Sequence, residues 1–290
     1  MIKKIVYYKY LGDDNIWQEK PPKLLNLLYN TMVGRVVMKI ISTKRLSRMA
    51  AKFLDSRAST VFIGRYIRKN KIDMDEFESV KYSSFNDFFT RKKKNVRCSS
   101  NLKDFVATAT SRVTCFEIDD DLAVDIKGSK YSVREMLKDS ELAKEYSGGL
   151  CLVFRLSPAD FHRYIYCDDG FLGFSKHIEG VLHTVNPISY QGYKIFHEND
   201  RVVSELDTKK FGKIIQIEVG ALCVGKIVNE NVEKFKRYQE KGHFEFGGST
   251  IVQLIEKNRV RINREIVKNS KENIETYVEV GEKIGELCDF

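Results

Sequence analysis

The residues best suited to chemistry are Phe246-Gly247-Gly248-Ser249-Thr250, where two glycines lead into a serine. Glycine has no β-carbon, so the pair permits backbone conformations closed to other residues and leaves the Gly248 carbonyl open to a neighbouring hydroxyl. A serine hydroxyl is a weak nucleophile until a base takes its proton, and that base needs an orienting carboxylate. On its own, Gly-Gly-Ser-Thr fits a plain turn before a strand equally well. The chain has five histidines, and imidazole is the usual proton carrier near neutral pH. Its six cysteines show neither a CxxC pair nor metal-ligand spacing, so no metal is expected and the thiols are read as reduced.

These residues need a framework. From about Leu102 the chain alternates short β-rich runs with turn residues. Examples are Leu150–Leu156, Ile214–Val219 and Thr250–Ile255, with Asp168-Asp169-Gly170 and Asn199-Asp200 as turns. Residues 131–146 read as one inserted helix. Residues 21–54 read as an amphipathic helix with Leu25, Leu28, Met32, Val36 and Ile40 on one face, and shorter helices continue to about Phe89. The expected fold is α+β: a basic helical part over residues 1–97, then a compact, mostly antiparallel β-rich catalytic domain over 98–290.

Charge is divided in the same way. The net charge is +9, yet residues 1–97 hold 22 Lys and Arg against 9 Asp and Glu, while 98–290 hold 27 against 31. A basic, amphipathic first third suits an anionic membrane surface, at about 1 kcal/mol per Lys or Arg. No run reaches the roughly 18 apolar residues of a membrane span. A nucleic-acid partner is not expected, because Lys92-Lys93-Lys94 beside Phe88 and Phe89 forms no recognised motif.

Six blocks in order resemble the pyruvoyl-dependent phosphatidylserine decarboxylase family. They are Ser84–Arg91, Arg155–Arg163, Thr184–Pro187, Asn199–Val203, Val219–Gly225 and Phe246–Thr250. The resemblance implies that the Ser249 hydroxyl attacks the Gly248 carbonyl and that the chain cuts itself between 248 and 249. Ser249 then becomes a covalent pyruvoyl group, the one implied cofactor. Its ketone would form a Schiff base with the amine of phosphatidylserine and act as electron sink when carbon dioxide leaves. His162 is implied in phosphate recognition or proton transfer, and Arg163 and Asp160 are candidate substrate contacts.

The chain departs from the family pattern at two positions. The family's Asp-Gly falls on Thr110-Ser111, and the second histidine of its central motif falls on Ile165. Neither threonine nor isoleucine can serve in a Ser-His-Asp relay. His177, His183 and His243 are candidates to replace the base. The expectation is a peripheral enzyme on the cytoplasmic face of a membrane, as a homodimer, with a phospholipid substrate. The rival expectation is an uncleaved, catalytically impaired lipid-binding relative.

Overall fold

Strand Ser249–Ile255 shows why this sequence builds a layered β body. All seven of its residues, STIVQLI, are buried. Ile251 and Ile255 enter one hydrophobic cluster, while Val252 and Leu254 enter another. Successive side chains of a strand point to opposite faces, so a strand with apolar residues on both faces needs cover on both. Each such aliphatic side chain contributes about 1.5–3 kcal/mol on burial.

A computed structural model describes residues 6–20, 27–28, 31, 34, 49, 51–126, 129–183, 194–221, 226–230, 232–247 and 249–288. Ten strands form the main sheet, in the order Lys234–Phe235, Gly170–Ile178, Arg201–Thr208, Gly212–Gly220, Ser249–Ile255, Leu150–Leu156, Ser111–Glu117, Ile274–Val278, Val6–Tyr10 and Trp17–Glu19. Neighbours are antiparallel except Val6–Tyr10, which runs parallel to Ile274–Val278. A small sheet of Ile227–Asn229, Glu240–Phe244 and Arg163–Ile165 supplies Tyr164 and Phe244 to the same cluster as Ile251.

The α+β class with a mostly antiparallel body is as expected. Two details differ. The single helix expected over 131–146 is two short ones, Val133–Leu137 and Ser140–Lys144. Ser132 and Asp139 each cap a helix start with a side-chain oxygen, and Lys138 between them sits at φ 52, which ends the first helix. The N-terminal segment also contains two strands of the main sheet, so residues 6–19 belong to the β body. Most of the helix expected over 21–54 lies outside the described residues, as do Thr184–Pro187, Val224, Gly225 and Gly248.

Candidate active site

Ser249 opens its strand with Gly220 opposite on one side and Leu156 on the other. Its hydroxyl is fully buried and has no hydrogen-bond partner among the described residues. Gly247, two residues earlier, sits at φ 149, a value that favours glycine. The approach to Ser249 is held from a distant part of the chain by the short helix Phe85–Phe89, which Ser84 caps by accepting from the Asp87 N–H. The Phe246 N–H donates to Asn86 Oδ1 at 2.9 Å. The Phe246 ring lies 5.1 Å from both Phe85 and Phe89, edge-on to each.

His162 belongs to the same cluster. Its ring centroid is 4.1 Å from that of Phe89, and its carbonyl accepts from the Phe244 N–H. Nδ1 lies 2.9 Å from the Asp160 carbonyl. A carbonyl can only accept, so Nδ1 carries the proton and Nε2 holds the lone pair. Nε2 is buried without a partner. Burial, reinforced by the Arg91 charge, pushes the His162 pKa down to about 3. His162 is therefore a neutral imidazole and a weak base.

The two substituted family positions converge on Val280. The Val280 N–H donates to Thr110 Oγ1 at 3.1 Å, and Ile165 packs in an apolar cluster with Phe77, Phe161 and Val280. Sheet register relates this patch to Ser249. Arg155 stands opposite Thr250 on one side and Arg112 on the other. One residue back along each outer strand, Ser249 and Ser111 sit at the same end of the sheet. Two strand spacings separate them by about 10 Å. Thr110, next to Ser111, thus lies at the same end of the sheet as Ser249, and neither it nor Ile165 carries a carboxylate or an imidazole.

The other sequence candidates are committed elsewhere. Asp160 accepts from Arg112 Nη1 at 2.9 Å and from the Ser157 N–H at 2.6 Å. Arg163 pairs with Glu240 and donates to the Thr90 carbonyl. His177 is exposed and pairs with Asp200 at 2.8 Å, three strands from Ser249. His243 faces Glu240 at 3.8 Å. His183 is the remaining buried candidate. Asn199 ties its backbone N–H and carbonyl to the carbonyl of Gly220, the residue opposite Ser249. Sequence reasoning missed Asn86 and Arg91. Their membership in the Ser84–Arg91 block was the available signal, but their roles depend on contacts 160 and 68 residues away.

Among the described residues, no group of three or more His, Cys, Asp or Glu could hold a metal ion. The partnerless Ser249 hydroxyl after a left-handed glycine fits the precursor of a chain-derived carbonyl group. A family profile described as phosphatidylserine decarboxylase matches residues 85–286. Similar curated relatives include phosphatidylserine decarboxylase proenzyme 2 of Clostridium acetobutylicum, 48% identical with 94% of this chain and 96% of the relative covered. The proenzyme of Clostridium tetani is 39% identical, with 91% of each chain covered. That of Ruminiclostridium cellulolyticum is 36% identical, with 98% of each covered.

Proposed function

The chain belongs to the phosphatidylserine decarboxylase family, and from that premise we propose that it decarboxylates phosphatidylserine after cutting itself between Gly248 and Ser249. The observation that carries this reading is the buried Ser249 hydroxyl, held without a partner at the head of its strand by the contacts of Phe246 with Asn86 and Phe89. Once formed, a pyruvoyl ketone supplies the electron sink for the bond to carbon dioxide. The chain's own residues do the rest. Asn86 and Phe89 set the path of the backbone into Ser249, whose burial keeps water from its hydroxyl.

Proton removal from Ser249 is the weak step. His162 has a free Nε2 lone pair but a low basicity, and Thr110 and Ile165 offer no acid-base pair. Self-cleavage is needed once per molecule, so slow chemistry is compatible with function. A second reading, an uncleaved lipid-binding relative, rests on Thr110 and Ile165 alone and is not the one that family membership favours.

Intact mass spectrometry, with a decarboxylation assay on phosphatidylserine vesicles, decides between them. Two pieces, 1–248 and an N-terminally blocked 249–290, with carbon dioxide release support the first reading. A stable 33.6 kDa chain that binds lipid and releases no carbon dioxide overturns it in favour of the second.

The reading includes peripheral attachment at the cytoplasmic face of a membrane. Support comes from exposed Phe53, Val61 and Phe62, the Phe53 and Phe62 rings being 6.1 Å apart, on a segment that also carries Lys52, Arg57 and Arg65. No helix among the described residues is long and apolar enough to cross a membrane. Binding to anionic vesicles should weaken as salt shortens the Debye length from about 10 Å at 0.1 M to about 3 Å at 1 M. Unchanged binding by Phe53→Asp with Phe62→Asp would remove this part of the reading.

A further inference from the structure

Beside the patch that contains Thr110 lies a cavity of about 490 Å³, which Arg91, Arg112, Lys93, Phe77 and Phe161 help to line. Arg91 is the unusual member. It is 3% exposed. Its Nη2 donates to the Ala159 carbonyl at 3.1 Å, and its face lies over the Phe77 ring at 4.3 Å and the Phe88 ring at 5.1 Å. Nε and Nη1 are buried with no hydrogen-bond partner.

The carboxylates that could neutralise it are taken. Asp160 is held by Arg112 and the Ser157 N–H, and Glu76 lies 3.0 Å from Lys93. Arg112 also has Glu19 at 3.2 Å, and Lys93 has Glu279 at 3.6 Å. Among the described residues, Arg91 is thus a buried cation without an anion of its own, while its neighbours Arg112 and Lys93 each have two. A buried charge is costly unless it is paired, and the guanidinium fork matches the oxygens of phosphate and carboxylate. Arg91 helps to line the cavity, and its two unpartnered N–H groups carry a charge that no carboxylate of its own neutralises, which points to an oxyanion as the missing partner.

We propose that Arg91 binds the phosphate group of a ligand in this cavity. The decarboxylase reading bears only on which molecule carries that phosphate: a lipid headgroup under that reading, or a free phosphate otherwise. The cavity touches Thr110, which adjoins Ser111 at the same end of the sheet as Ser249.

The test is titration calorimetry on the full chain with two probes, glycerophosphoserine and inorganic phosphate. Arg91→Met should weaken binding on the order of tenfold or more, because charge-assisted hydrogen bonds are lost, and Arg91→Lys should recover part of it. Binding of glycerophosphoserine alone assigns the site to a lipid headgroup; equal binding of both probes assigns it to free phosphate. No binding of either probe, or equal binding by Arg91→Met, overturns the site. If Arg91→Met does not fold, Lys71→Glu serves instead. Lys71 is exposed and lines the cavity, and its reversal should weaken binding a few-fold; an unchanged affinity overturns the site. Ser249→Ala should leave binding unchanged. Binding that persists in a chain that never cleaves leaves the site standing and removes only the decarboxylase reading.

Discussion

Two patches, one around Phe246 and one around Val280, hold different parts of the candidate site. On the Phe246 side the orienting contacts are in place: Asn86 holds the Phe246 N–H, and Phe85, Phe89 and His162 form a packed aromatic cluster. On the Val280 side, the two positions that the family resemblance gives to an acid and a base hold neither a carboxylate nor an imidazole. Thr110 accepts one backbone N–H, and Ile165 fills an apolar space. The contrast shows that positioning and proton transfer are separable parts of one site. Positioning rests on packing, which tolerates any side chain of the right volume, whereas proton transfer requires particular atoms.

The comparison is sharpened most by restoring the lost chemistry. Thr110→Asp with Ile165→His should accelerate self-cleavage by up to about 10⁴, the amount that an orienting acid contributes in a Ser-His-Asp relay. The Val280 N–H is already placed to donate to the new carboxylate. Ser249→Ala should abolish cleavage in either background. Time courses on denaturing gels read this out, and rapid, complete cleavage of the unmodified chain would show that another residue has become the base.

Next in size is an acid sensitivity that belongs to the orienting side. The His162 pKa is depressed to about 3 in the fold, against about 6.5 for an unfolded histidine. The unfolded chain therefore binds the extra proton first. The stabilising contribution is fully present above about pH 6.5 and is lost as pH falls toward 3, with a slope of up to about 1.4 kcal/mol per pH unit. Urea unfolding at several pH values should show a shallower slope in this window for His162→Gln. An unchanged slope would mean that the imidazole is not held neutral.

The smaller effects set the two patches against each other directly. Asn86→Ala leaves the Phe246 N–H without its acceptor and should cost about 1–3 kcal/mol. Ile165→Val removes one methylene and should cost about 0.5–1.5 kcal/mol without altering the rate of cleavage. Denaturant midpoints measure both. If Ile165→Val proved the more costly, the orienting contacts would not be the more demanding half of the site.

The one-dimensional pattern was enough for the main strands, since Leu150–Leu156 was read at its observed limits and Ser249–Ile255 within one residue. Mostly apolar runs bounded by turn residues carry that information locally. The helix pair at 133–144 differs from the single helix that the sequence pattern suggests. Its break depends on Lys138 adopting a left-handed conformation between two caps, and nothing in the hydrophobic period marks that.

For the site, the residue types at 110, 165 and 249 were legible without any structure, and so was the loss of a relay, because a hydroxyl and an alkyl group cannot replace a carboxylate and an imidazole. That Thr110 and Ile165 meet at Val280 was not legible, nor that Asn86 reaches across 160 residues to Phe246, nor that Arg91 is left without a carboxylate. Side-chain chemistry is a property of each residue and can be read one position at a time. Burial, pairing and the pKa of His162 are properties of neighbours, and only the folded chain brings those neighbours together.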